Sequence, residues 1–230
     1  GIKLWAFLPP TIPRQKYLAA KESGAEIVLS HRAMRMANYL AKKKKTINLR
    51  PSLNDDSIVG FKTLGFEIFE QSEKIRPIFT FVTSGSSLVG IFSAFQKLKN
   101  EGCVEKLPEL HAVQSVLAAP SETPVADELV WGLAGQGGIR RTRRANQIAE
   151  ATSVCGGRIW RIADDEIKDA ARQLSRHNVK TSWEGCASLA AVLKSGEPEA
   201  LCILTGRFYD SAGVSEVDKI GVRQAENIAD

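Results

Sequence analysis

Short apolar runs alternate along the whole chain with longer amphipathic segments, and this alternation constrains the fold more than any other feature. Strand-like runs fall at residues 3–8, 26–29, 46–49, 77–82, 111–116, 157–162 and 200–204. Between them apolar positions recur near helical spacing, as in Met34, Ala37, Tyr39 and Leu40. Helices are expected from a Thr11 cap, with Pro13 in the first turn and Gly24 as the stop, and from a Ser30 cap. Others are expected at residues 57–72, 164–177 and 185–194, and from a small-residue turn at 83–87 out to Lys99. Residues 117–124 read as loop, and 125–152 as mostly helical, interrupted by Gly135-Gln136-Gly137-Gly138. Strands separated by helices of this length predict parallel βαβ units. The expected fold is therefore α/β, a three-layer parallel sheet with helices on both faces. A polar break at residues 50–56 divides part of a smaller βαβ domain, 1–50, from a large domain, 51–230.

Composition excludes several classes. At 43% apolar and 25% charged residues the chain matches an average globular domain, not a disordered tail, a collagen-like fibre or a disulfide miniprotein. No stretch reaches the roughly 20 consecutive apolar residues that span a bilayer, so no membrane partner is expected. The surplus of 31 Lys+Arg over 26 Asp+Glu sits mostly in two runs, Lys42 to Lys45 and Arg140, Arg141, Arg143 and Arg144. A nucleic-acid surface interleaves basic residues with aromatics for stacking, and neither run contains one. Solvated helix ends are the simpler reading of both runs, while the arginine cluster after Gly137-Gly138 could also reach an anionic substrate; no nucleic-acid partner is expected. Cys103, Cys155, Cys186 and Cys202 do not cluster as zinc ligands do; they read as reduced thiols of a cytoplasmic protein. The chain begins with Gly and shows no signal-peptide pattern, which suggests a piece of a larger protein.

Three segments could carry chemistry. In the first, the strand at 77–82 opens through Thr83, Ser84, Gly85, Ser86 and Ser87 directly onto a helix. Free backbone N–H groups and the positive end of a helix dipole make such a turn a seat for phosphate. An ordinary strand-to-helix turn with a serine N-cap accounts for it equally well. In the second, Thr205 and Gly206 stand just past an apolar strand, at the edge where ligands of open α/β sheets collect. A plain strand end is the simpler reading there. The third, residues 182–194, is a run of small residues that close packing explains by itself. His31, His111 and His177 show no metal or triad pattern and read as surface or packed residues. Asp164, Asp165 and Glu166 read as acids at a helix start.

Taken in order, these segments resemble the pyridoxal-phosphate enzymes of the tryptophan-synthase β type (fold type II), and threonine synthases and their dehydratase relatives most of all. Residues 1–9 look like the family's small-domain strand, and residues 16–29 like the helix and strand that follow. Gly60-Phe61-Lys62-Thr63 resembles the helix entering the large domain. Residues 83–87 fall where the family binds the cofactor phosphate. Glu184-Gly185-Cys186-Ala187 resembles its Glu-Pro-Ala-Ser segment, and Leu204-Thr205-Gly206 falls where a Thr hydroxyl sits beside the pyridine nitrogen. The loop carries one glycine where the family often has several. The family's Ser-x-Lys motif, whose lysine forms the Schiff base, has no counterpart in place, nor has its Ser-Gly-Asn stretch.

The resemblance implies pyridoxal 5'-phosphate as cofactor, with Thr83, Ser84, Gly85, Ser86, Ser87 and Thr205 as cofactor-binding residues and no catalytic residue. It implies the C-terminal portion of a threonine synthase-like lyase of amino-acid biosynthesis, acting on O-phosphohomoserine or a related hydroxy or phospho amino acid. Such a portion would be inactive alone, would need an upstream segment, and would be a homodimer when complete. A non-catalytic, anion-binding or regulatory remnant of the fold is the competing expectation.

Overall fold

The computed structural model describes residues 2–44, 46–116, 143–208 and 223–224. The expected loop at 117–124, the glycine interruption at 135–138, and Arg140 and Arg141 lie outside them. Two compact units are present, the second running from Arg50 to Phe208. Among the described residues no helix is long and apolar enough to cross a membrane.

The first unit contains β1 (Trp5–Leu8), α1 (Arg14–Glu22), β2 (Glu26–Leu29) and α2 (Ala33–Lys44). β1 and β2 pair in parallel with Trp5 opposite Glu26 and Leu8 opposite Leu29. Tyr17 of α1, fully buried, packs with Ile12 on Ile27 and Leu29. The start of α1 departs from expectation. Pro13, not Thr11, is the N-cap, with ψ at 133° and no side-chain cap. Its carbonyl accepts from the Lys16 and Tyr17 N–H groups, so the helix begins after the proline. Ser30 does cap the approach to α2, its Oγ accepting from the Arg32 N–H at 3.0 Å.

The strand expected at 46–49 is not formed. Ile47 and Leu49 are 80% and 63% exposed, and among the described residues this short apolar run has no strand to pair with. Instead β7 (Arg223–Gln224) pairs in parallel with β2, opposite Val28 and Leu29. Residues 223–224 thus join the first sheet rather than the large domain expected to hold all of 51–230.

The second unit runs α3 (Asp56–Gln71), β3 (Ile78–Phe81), α4 (Ser86–Asn100), β4 (Leu110–Ser115), α5 (Ala145–Val154), β5 (Ile159–Ile162), α6 (Asp164–Arg176), α7 (Trp183–Ser195), β6 (Leu201–Ile203). All its strand pairs are parallel, in the order β5-β4-β3-β6. The chain steps from β3 to β4 to β5, then returns to the far side of β3 as β6. Parallel crossovers are right-handed, so reversing the direction of travel moves the connecting helices to the other face. The two cores show this. Ile78, Val82, Leu110 and Ala112 pack under α4 and α5, with α3 against them. Phe79, Phe81 and Val113 pack under α6 and α7, on Ile167, Ala170, Cys186 and Ala187. Alternate residues of β3 therefore feed opposite cores, the signature of a central strand buried on both sides. α6 starts as its acids imply, with Glu166 Oε2 accepting the Ala163 N–H at 2.7 Å.

α3 and α4 cross closely because Gly90 has no side chain. A Cβ there would lie 2.7 Å from the backbone carbonyl carbon of Phe61 and 2.9 Å from its oxygen. Backbone cannot swing aside as a side chain can. Gly90→Ala gains about 1 kcal/mol of helix propensity, but overpacking costs up to about 3. A net loss of about 2 kcal/mol in denaturant unfolding is expected.

His111 is a packed histidine, as expected from sequence, and it is sensitive to pH. It is 2% exposed and stacks on Phe79 at 4.2 Å. Its Nδ1 accepts from the Arg158 N–H at 3.2 Å, and Nε2 lies 3.4 Å from Glu109 Oε2. Burial pushes its pKa down, against the pull of the Glu109 carboxylate. The unfolded state then takes up the proton first as pH falls. Stability from this group is present above about pH 6.5 and is lost as pH falls from there toward the lowered folded value, by up to about 1.4 kcal/mol per pH unit. Unfolding titrations of wild type and His111→Asn should differ by this slope, and only in this window.

Candidate functional site

The reversal of strand order puts a switch point between β3 and β6, and ligands of open α/β sheets bind at the carboxyl ends of the strands there. Thr80 of β3 faces Ile203 of β6 in register. The turn 83–87 and the Thr205-Gly206 turn therefore leave the same edge side by side. Two segments more than a hundred residues apart in sequence are brought together by one parallel pairing.

The first turn is built to hold open amides. The N-cap of α4 is Gly85 in the left-handed region, φ 79° and ψ −2°, not a serine with a side-chain cap. The first N–H to turn back is that of Val89, on Gly85 O at 2.9 Å, so the Ser87 and Leu88 amides lie in the open end of the helix. Gly85 and Ser86 are buried, while Thr83, Ser84 and Ser87 are half-buried. Ile148 of α5 seats directly on Gly85, its Cδ1 only 2.6 Å from where a Cβ would stand. The serine hydroxyls point into a network. Ser84 Oγ accepts the Ser86 N–H at 3.3 Å and lies 3.0 Å from Ser86 Oγ. Ser86 Oγ in turn donates to Pro51 O at 3.2 Å.

The second turn is held by the start of α7. Ser182 is that helix's N-cap, accepting the Gly185 N–H at 3.3 Å. Its hydroxyl donates to Thr205 O at 2.6 Å, and Thr181 Oγ1 donates to the same carbonyl at 3.2 Å. Two donors on one carbonyl fix the backbone of the half-buried Thr205. The small-residue run of α7, read from sequence as packing, does pack: Gly185, Cys186, Ala187 and Ser188 are buried. It also anchors the turn.

Arg144 was expected on a solvated face, and the structure places it inside. It is 1% exposed, and its guanidinium donates to Pro51 O, Asn54 O and Asp55 Oδ1, each at 2.9 Å. Arg143, 56% exposed at its side chain, keeps the solvated role and reaches Asp55 Oδ2 at 2.7 Å. Sequence reasoning missed Arg144, Ser57 and Thr181, and no local pattern marks them. The Ser-x-Lys triplet the chain does contain, Ser72-Glu73-Lys74, precedes β3. Its lysine pairs with Glu199 before β6, at the opposite end of the sheet from the turns. Burial pushes the thiols of Cys155, Cys186 and Cys202 up to about 12, 11 and 12, so they are neutral packing groups rather than nucleophiles. Among the described residues no cluster could hold a metal ion.

An open parallel sheet with a helix N-terminus and a hydroxyl-bearing turn at its switch point is an α/β protein of the kind that takes ligands at the carboxyl ends of its strands. The chain belongs to the family of pyridoxal-phosphate dependent enzymes, which it matches over residues 1–206. It is 26% identical to the threonine synthase of Methanosarcina acetivorans over 196 residues, and 26% identical to that of Methanocaldococcus jannaschii over 192. Each match covers 76% of this chain and 47% of the relative, so the chain spans about half the length of these relatives. Among solved structures, serine racemase from Dictyostelium discoideum aligns with a TM-score of 0.67 at 20% identity, over 91% of this chain and 70% of that one. O-acetyl serine sulfhydrylase isoform 3 from Entamoeba histolytica aligns at 0.62 and 18%, over 86% and 60%. The cofactor of the family is pyridoxal 5'-phosphate.

The residues present fit the phosphate end of that cofactor. A left-handed glycine at a helix N-terminus leaves amides open to an anion, and hydroxyls stand beside them. Gly85→Ala tests the seat. The left-handed φ costs a residue with a Cβ about 1–2 kcal/mol, while the Ile148 methyl it meets can move. Denaturant unfolding should show a loss in that range, and affinity for inorganic phosphate should fall as the amides turn.

Proposed function

We propose that this chain is the C-terminal portion of a threonine synthase-like, pyridoxal-phosphate-dependent lyase acting on O-phosphohomoserine or a related hydroxy or phospho amino acid. One observation carries the reading: the anion-seating turn after β3 and the Thr205-Gly206 turn after β6 emerge side by side at the switch point. The likeness to two threonine synthases supports the choice within the family. Pyridoxal phosphate supplies an electron sink for bonds at an amino-acid α carbon. The chain's own residues then have distinct tasks. The amides of Gly85 and Ser87, with the Thr83 and Ser87 hydroxyls, would bind the phosphate at the positive end of α4. Thr205, its backbone held by Thr181 and Ser182, offers its hydroxyl to the pyridine nitrogen. The lysine that anchors the cofactor and moves the α proton comes from an upstream segment, and the complete enzyme is a cytoplasmic homodimer of amino-acid biosynthesis.

Phosphate or ammonia release from O-phosphohomoserine, threonine and serine tests this. General acid–base help is worth about 10²–10⁴-fold, so without the lysine the 230-residue chain should not exceed free cofactor. Supplying the upstream segment, in cis or as a separate chain, should restore turnover. Thr205→Val should then lower it by about tenfold, one lost hydrogen bond to a polarised group. Enzymatic turnover by the bare chain would sink the assignment of the lysine. No turnover with the segment restored would favour a non-catalytic anion-binding module.

A further inference from the structure

We propose that Arg144 is a positioning residue for the anion seat, acting through the Pro51 carbonyl on Ser86 and so on the amides of the 84–88 turn. The proposal rests on the reading that this turn seats the cofactor phosphate. Arg144 heads the fully buried side chains by volume, although it is charged. A guanidinium is left inside a protein only when it is paired and hydrogen-bonded, and here its fork is used on three acceptors at once. All three belong to one short turn between residues 51 and 55. That turn reaches the anion seat through the Ser86 hydroxyl.

Proton counting sets the direction of the relay. Ser57 Oγ has its shortest contact with Asn54 O, at 2.6 Å, and gives its proton there. Ser86 Oγ lies 3.2 Å from both Pro51 O and Ser57 Oγ and donates to the carbonyl, the stronger acceptor, while Ser84 Oγ, 3.0 Å from Ser86 Oγ, donates to it in turn. The Pro51 carbonyl thus receives Arg144 from one side and Ser86 from the other. The hydroxyls of Ser84 and Ser86 are committed inward, and Ser86 is 1% exposed. They hold the turn in place, leaving the anion to the amides and to the half-buried Thr83 and Ser87. The root of Arg144 also lies against the turn, its Cβ 3.6 Å from where a Gly85 Cβ would stand. Two arginines share one Asp55 carboxylate, so a net positive charge remains beside the seat.

The test compares pyridoxal phosphate with pyridoxal, which lacks only the phosphate, in the full-length protein. Arg144→Lys keeps the charge, but a single ammonium cannot serve three acceptors in the plane of the fork. Ser86→Ala cuts the relay without unpairing a buried charge, and carries the test if the lysine variant does not fold. Each should weaken pyridoxal phosphate by about tenfold, the worth of one charge-assisted hydrogen bond, and leave pyridoxal unchanged. The double variant should be no weaker than either single one, because both act along one path. Without any ligand, amide exchange at residues 84–88 should quicken in both. An equal loss for both ligands, additive losses, or unaltered exchange at 84–88 would overturn the relay alone. A wild-type protein with no preference for the phosphorylated ligand would overturn the phosphate-seat reading, and the relay with it.

Discussion

Right-handed crossover is the constraint on which the second unit depends. Once β3, β4 and β5 are laid down in one direction, α4 and α5 must lie on one face. The return to β6 must place α6 and α7 on the other, and it must leave a gap in the connections between β3 and β6. Among the described residues no helix runs directly from β3 to β6. The turns that follow these strands lie where ligands of open α/β sheets collect, although the Ser84 and Ser86 hydroxyls are taken up by the fold. Both cores serve this geometry. Phe79 and Phe81 are held by one, Ile78 and Val82 by the other, and the strand that leads into the turn 83–87 is locked from both sides.

A buried cation beside the small-residue turn solves a second problem. A turn of small residues is easily deformed, and a single glycine in the left-handed region gives it more freedom still. Rigid partners supply what the turn lacks. Ile148 presses on Gly85, and the Pro51 carbonyl gathers Ser86 and Arg144. The carbonyl is a neutral acceptor, so it links a charged network to a neutral turn without placing a carboxylate next to the anion. Asp55, which does carry charge, is paired with both arginines and is more than half exposed.

The turn at 83–87 carries a single glycine where the resemblance led to an expectation of several, and hydroxyls take the other places. The structure gives a physical reason why that exchange is tolerable. Extra glycines let a backbone approach an anion, but they leave it floppy in the unbound state. Ser84 and Ser86 give up that closeness and tie the backbone to its neighbours. The same economy appears at Thr205, where Ser182 caps α7 and donates to the Thr205 carbonyl with one hydroxyl.

The alternation of apolar runs and amphipathic segments was legible without coordinates, and so were the class of fold, the parallel strands β3 to β6 within a residue or two, and the turn at 83–87. These depend on periodicity and on small residues between strand and helix, both local properties. Local pattern misled at 46–49, where an apolar run found no neighbour and β7 took the edge of β2. It also misled at Arg144, which in sequence is one more member of a basic run. Whether an arginine is solvated or buried depends on what lies across from it, and its acceptors at Pro51 and Asn54 are 93 and 90 residues away. The sequence by itself thus determined the elements and the chemistry each could offer. Tertiary structure alone decided which of them meet, because strand order, crossover hand and burial are properties of the packed sheet and not of any window of residues.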